Sequence, residues 1–319
     1  MARLRDLTAD RPHRHQPATT PAQEAAVTDF AATLRILEPY PGLFAYYDGR
    51  TPGKRLHSPD RNWLDDGAYS LGVASYAIVS ENEALVYDTH ISLDHARAVR
   101  RHLEGLGVSR IRVVLSHWHA DHIAGNAVFA DCEIIANRLT AKAMADNAAV
   151  LAAKNPPIDP VVMPNALFNE RLELDVGKWN VELLQFDIHS ADGTVLLLPD
   201  IGVLLAGDTL EDTVTYISEP EHTLRHIEEL DRLAGLPIRH ILPNHGSEDR
   251  IGGGGYAPDL IQANRDYLQR LLDNVADPNL DKASLADFIA PELAHGSVIY
   301  FAPYERVHRD NIAALRNRK

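Results

Sequence analysis

Cysteine is nearly absent from this chain, and the single Cys132 has no partner for an intramolecular disulfide; it is read as a buried structural thiol. Long hydrophobic runs are missing as well, since no stretch approaches the roughly 18 consecutive apolar residues that a membrane-spanning helix needs. Positive charge is scarce: 31 Lys and Arg stand against 45 Asp and Glu, a formal net charge of -14. That balance argues against a nucleic-acid or anionic-membrane partner, either of which favours a basic patch. What remains suits a globular protein handling a small-molecule substrate, because 319 residues at 45% hydrophobic content can fill one large α/β domain.

Residues 1–27 scatter Arg3, Arg5, Arg11, Arg14, Asp6 and Asp10 among Pro and Ala, without the apolar core of a secretory signal, which predicts a flexible tail on a cytoplasmic protein. His13 and His15 in that tail lack other ligand types nearby. Residues 28–319 are expected to form the domain, with a helical extension from about 257. Thr28 is placed to cap a helix running to Leu37, which Pro39 and Pro41 would stop. A strand is expected at about 43–47, and apolar runs at 73–79 and 84–87 flank a polar turn as in a β-hairpin. Ser92 then precedes Leu93, Ala96, Val99, Leu103 and Leu106 at helical spacing, with Gly107 at the left-handed end position. A strand at 112–115 follows. Further strands are expected at 181–186, 194–199, 201–206 and 238–242, and helices near 219–234 and 259–275. The segment 137–165, helical and then proline-rich, is expected to cover a pocket. Glycines 252–255 lack the context of a nucleotide fingerprint and predict a mobile loop; with the long helix that follows, they offer a surface to a second copy of the chain, a homo-oligomer.

The chemistry concentrates in His117-Trp118-His119-Ala120-Asp121-His122, directly after the strand at 112–115. Neutral imidazoles and carboxylates are the ligands that zinc and its neighbours accept, and four of them fall within six positions. Alternation puts His117 and His119 on one side of an extended segment, while Asp121 and His122 sit in the turn beyond it, within reach of a second ion. His57, His95, His102, His222, His226, His240, His295 and His308 lack ligand partners at recognisable spacing and are read as ordinary surface or structural histidines.

This segment resembles the HxHxDH signature of the metallo-β-lactamase superfamily. Later segments resemble that family's motifs in the same order: Phe186-Asp187-Ile188-His189-Ser190-Ala191-Asp192-Gly193, Leu204-Leu205-Ala206-Gly207-Asp208-Thr209 and Ile241-Leu242-Pro243-Asn244-His245-Gly246. The resemblance spans roughly residues 65–250 and implies an α/β fold of four layers, the αββα sandwich. It implies a dinuclear metal-dependent hydrolase in which His117, His119 and His189 hold one divalent ion, Asp121, His122 and His245 the other, and Asp208 bridges both. Zinc is the expected metal, with manganese or iron as substitutes. A bridging hydroxide would then open a lactone, ester, thioester or amide of a small metabolite, with Asp121 orienting it and Asp208 completing the catalytic pair. The alternatives are a mononuclear iron dioxygenase, a non-catalytic metal-binding member of the fold, and a β-lactamase; the bridging aspartate speaks against the last.

Two departures from the family pattern stand out. In Tyr87-Asp88-Thr89-His90, His90 replaces a glycine, which makes it a candidate to face the pocket. Lactonases of the superfamily carry a tyrosine shortly after the bridging aspartate, where this chain has Glu211, with Tyr216 the nearest tyrosine. His90, Trp118 and Tyr216 are the expected substrate contacts.

Overall fold

The computed structural model describes residues 30–318; the expected tail at 1–27 lies outside them. Strands β1 (Arg35–Tyr40), β2 (Leu43–Asp48), β3 (Val73–Ser80), β4 (Glu83–Tyr87), β5 (Arg110–Val114), β6 (Glu133–Asn137) and β7 (Ala166–Phe168) form one sheet in that spatial order. Strands β8 (Arg171–Val176), β9 (Trp179–Gln185), β10 (Thr194–Leu198), β11 (Val203–Gly207) and β12 (His240–Pro243) form a second, in the order β12-β11-β10-β9-β8. Pairing is parallel from β4 to β7 and between β11 and β12, and antiparallel elsewhere.

The helices are α1 (Leu93–Gly105), α2 (Ala120–Ile123), α3 (Arg138–Asp146), α4 (Ala148–Ala152), α5 (Thr223–Ala234), α6 (Glu248–Gly252), α7 (Asp259–Asn274), α8 (Leu285–Phe288), α9 (Ala290–His295) and α10 (Tyr304–Asn317). Layering follows from strand alternation. Leu85 and Tyr87 of β4 join Leu196 and Leu198 of β10, which share a face with Leu183 of β9, in the core between the sheets, while Ala84 and Val86 face the other way, onto Ala96, Val99 and Leu103 of α1. Each large aliphatic side chain buried this way contributes about 1.5–3 kcal/mol, so a one-residue slip of β4, which would invert both faces, is strongly disfavoured. On the far side, Ile227, Leu230 and Leu233 of α5 and Leu260, Leu268 and Leu271 of α7 close the second sheet. The result is helix, sheet, sheet, helix. Among the described residues no helix is long and apolar enough to cross a membrane.

The hairpin β3–β4 and helix α1 form where the pattern places them. The Ser92 side chain accepts from His95 N, and Gly107 has φ +87°. Three expectations are corrected. Where a helix was expected to reach Leu37 from Thr28, which lies outside the described residues, β1 begins at Arg35 and pairs with β2, Leu37 opposite Ala45. The glycine run is a hydrogen-bonded turn rather than a mobile loop: Ile241 and Tyr256 exchange two backbone hydrogen bonds of 2.8 Å, and a Cβ on Gly255 would stand 2.4 Å from Ile241 O. Cys132 is half-buried beside Asp131 rather than in the core.

One tight approach positions the site. Gly125, just beyond α2, leaves no room for a side chain, since a Cβ there would lie 2.1 Å from Thr89 O and 2.5 Å from Ala96 Cβ. Gly125→Ala is expected to cost about 3 kcal/mol of stability by overpacking. Urea denaturation reads this directly, and a loss under about 0.5 kcal/mol would show that the contact relaxes without strain.

Candidate metal centre

The C-terminal ends of the central strands open at one edge of the sandwich, and the chemistry-bearing residues all sit there. Asp88 follows β4; Ser116 to His122 follow β5 and run into α2; His189 lies between β9 and β10 with φ +67°; Asp208 follows β11; His245 lies two residues past β12. Residues far apart in sequence thus meet because their strands are neighbours.

Two ligand groups form. One nitrogen from each of His117, His119 and His189 lies within 4.8 Å of the others, and so does one donor atom from each of Asp121, His122, Asp208 and His245. His119 Nδ1 is 2.9 Å from His117 Nε2 and 3.0 Å from His189 Nε2. Asp208 Oδ2 stands between the groups: it is 3.1 Å from His122 Nε2, 3.5 Å from His245 Nε2, and 3.7 Å from both His117 Nε2 and His189 Nε2. Asp121 Oδ2 is 3.2 Å from His245 Nε2.

The outward ring nitrogens fix which way the lone pairs point. His189 Nδ1 donates to Tyr216 O at 3.0 Å and His245 Nδ1 to Gly72 O at 2.6 Å, and a carbonyl can only accept. Ser116 Oγ donates to Asp88 Oδ2, so it accepts from His117 Nδ1 at 2.9 Å. Asp88 also accepts from Ser116 N, Asn244 Nδ2 and, at 2.8 Å, His122 Nδ1. This is the outer support that metal-binding histidines require, and it leaves Nε2 of His117, His122, His189 and His245 available to a cation, while His119 presents Nδ1.

The electrostatics divide the centre. Burial, with His189 adding to it, drives the pKa of His119 down to about 3, and burial drives His189 to about 4, so both rings are neutral. Burial opposes charge on His122 and His245 too, yet the surrounding carboxylates, Asp208 first, outweigh it and raise both well above the ordinary value. Without a cation, protons on these two rings occupy its place. The donor set fits divalent metal: neutral imidazole lone pairs face one another at contact distance, and Asp208 Oδ1 is buried without a hydrogen-bond partner.

The ligands open onto a cavity of about 570 Å³. Trp118 and Tyr216 line it, the Tyr216 side of the wall being 41% exposed. His90 does not, which corrects its expected substrate contact. It is fully buried, stacked on His95 with ring centroids 4.4 Å apart, its Nε2 3.2 Å from Tyr46 O, on a left-handed backbone with φ +70°. Arg306, Val307 and Asp310 of α10 supply a wall that local patterns do not reveal.

Glu211 is a further cavity residue, noticed in the sequence only as a departure. Its Oε1 accepts from Tyr216 N at 2.8 Å and its Oε2 from Tyr304 Oη at 3.2 Å. Burial, then the charge of Asp208, push its pKa up to about 8. A raised carboxyl pKa means that the folded state holds a proton that the unfolded state releases near 4.5, so the group's stability contribution is complete below that value and lost as pH rises through about 8. In metal-free protein, Glu211→Gln should therefore gain stability relative to wild type between about pH 5 and pH 8. Urea midpoints of the two proteins that stay parallel over this range would contradict it.

The family model described as Metallo-beta-lactamase superfamily matches residues 69–245, more than half of the chain. No curated protein matches. Among solved structures, the chain is similar to the DIM-1 metallo-β-lactamase exposed to ceftazidime, at 17% identity and TM-score 0.55, covering 74% of this chain and 97% of that one. It is also similar to a metallo-β-lactamase from Pontibacter korlensis, at 15% identity and TM-score 0.57, covering 74% and 99%. At these identities the likeness shows the fold alone, in agreement with the helix, sheet, sheet, helix layering.

Proposed function

Because the chain belongs to the metallo-β-lactamase superfamily, whose members are mostly metal-dependent hydrolases, we propose that it is a dinuclear hydrolase cleaving a lactone, ester, thioester or amide bond of a small metabolite. The observation that carries this reading is the place of Asp208, whose Oδ2 lies between the two ligand groups and within reach of four imidazoles. His117, His119 and His189 would hold one ion, Asp121, His122 and His245 the other, with Asp208 shared. Two divalent ions, zinc on the chemistry of this donor set, would supply an activated water and polarise the scissile carbonyl.

The protein's own groups supply the rest. Asp121 lines the cavity with its side chain 19% exposed, against 5% for Asp208, so it can orient the attacking water and accept a proton. Glu211 faces the same space, its carboxyl held by Tyr216 N and Tyr304 Oη beside Asp208. Trp63, Leu71 and Trp118 provide apolar wall, and Arg61, Lys154 and Arg306 provide positive charge beside the two wall acids Asp66 and Asp310. That combination suits a substrate with an apolar body and an anionic end, of a size that the cavity admits. The test is a panel of lactones, thioesters, esters and amides assayed on zinc-loaded protein, with metal content and oxygen uptake measured in parallel. Turnover of at least one class with no oxygen consumed supports the reading. One iron per chain with oxygen uptake overturns it.

A further inference from the structure

The loop that carries His189 meets a second cluster on its other side. Asp187, two residues before His189, faces Glu219, His222 and His226, and one donor atom from each of the four lies within 4.8 Å of the others. None of these four residues lines the cavity. His222 ends the short turn Pro220–His222 that leads into α5, and His226 lies four residues on, a spacing that puts both imidazoles on one helix face. His222 Nδ1 is 3.2 Å from Asp187 Oδ2 and 3.3 Å from Glu219 Oε2, and His226 Nε2 is 3.3 Å from Asp187 Oδ1.

His226 sets the cluster apart from a surface ion-pair network. It is 1% exposed, its Nε2 points at the Asp187 carboxylate, and that buried nitrogen makes no hydrogen bond. A buried nitrogen held 3.3 Å from a carboxylate oxygen but outside hydrogen-bond geometry has lost its hydration without a well-formed bond in return. A cation placed among the four side chains would satisfy it and both carboxylates together.

We propose that Asp187, Glu219, His222 and His226 form a separate divalent-metal site, which fastens the start of α5 to the loop bearing His189. Two imidazoles and two carboxylates are a complete tetrahedral donor set for zinc, with no position left open for substrate, as in structural rather than catalytic sites. The helix N-terminus disfavours a cation, and the two carboxylate charges offset that effect. Glu219 Oε2 already accepts from Ala191 N at 2.9 Å, and Ser218 Oγ donates to His189 O, so the ion would reinforce an existing tie between the same two segments. His222, its side chain 41% exposed, leaves an entry path from solvent.

The experiment is equilibrium dialysis of the full chain against zinc, followed by metal analysis, on wild type, His222→Ala and His226→Gln. The site predicts one zinc fewer per chain in each variant than in wild type, and a smaller zinc-induced rise in melting temperature. Counting by difference makes the result independent of how many ions the cavity takes. His222 is partly exposed, so its removal preserves the fold and decides the question even if His226→Gln misfolds. Equal zinc content in wild type and His222→Ala overturns the proposal.

Discussion

Asp208→Asn is expected to reduce hydrolysis of the best substrate by on the order of 10³-fold or more while leaving the protein folded. The substitution keeps shape and removes charge. Asp208 Oδ2 lies 3.1 to 3.7 Å from imidazole nitrogens of both ligand groups, so its carboxylate is the one anion that both groups share. An amide at that place neutralises no part of two dications and offers one weak oxygen in place of two charged ones. Bound metal should fall below the wild-type count, and the loss should appear in kcat rather than KM alone, because the other groups lining the substrate cavity are unchanged. A near-native circular dichroism spectrum separates this from unfolding. Turnover above about a tenth of wild type would show that Asp208 does not bridge.

Chelation is expected to lower the melting temperature by roughly 10 °C. Saturation at about a thousandfold excess over Kd stabilises the native state by about 4 kcal/mol, and each kcal/mol moves the melting temperature of a domain of this size by about 2–4 °C. The structural cause is visible in the site. The inward nitrogens of His117, His119 and His189 face one another at 2.9 to 3.0 Å, and Asp208 Oδ1 is buried without a hydrogen-bond partner. The pH dependence follows from the raised pKa of His122 and His245. Their protonated forms stabilise the metal-free protein below the ordinary histidine value, and this is lost as pH rises through the higher folded-state values. Metal must displace those protons, so the gap between loaded and stripped protein should widen from pH 6 toward pH 8. A gap that narrows, or no gap at all, would contradict this account.

How much was legible in the sequence depended on how local each signal is. His117 to His122 stand out because four ligand types crowd six positions after an apolar strand, and His189, Asp208 and His245 each follow a strand in turn. Helix α1 was readable because Ser92, Gly107 and the apolar spacing agree. The start of β1 was not, because its conformation is decided by pairing with β2 rather than by Thr28 or Pro39. Asp88 and Glu211 were in view without roles. Asp88 matters for the four donors that converge on it, and Glu211 because burial beside Asp208 raises its pKa in the metal-free protein, and both are products of the folded arrangement. His90 failed in the opposite way: replacing a glycine says that the backbone is left-handed, but not which side the ring takes. His222 and His226 were set aside as ordinary histidines, since Asp187 meets them only across the fold.

The central claim is that Asp208 lies between two metal ions, and anomalous X-ray scattering at the zinc edge from crystals of metal-loaded protein tests it most directly. The account predicts two peaks at the mouth of the cavity, about 3.5–4 Å apart, one among His117, His119 and His189 and the other among Asp121, His122 and His245, with the Asp208 carboxylate between them. A single peak among the three histidines of the first group, with Asp208 turned away from it, would contradict the account.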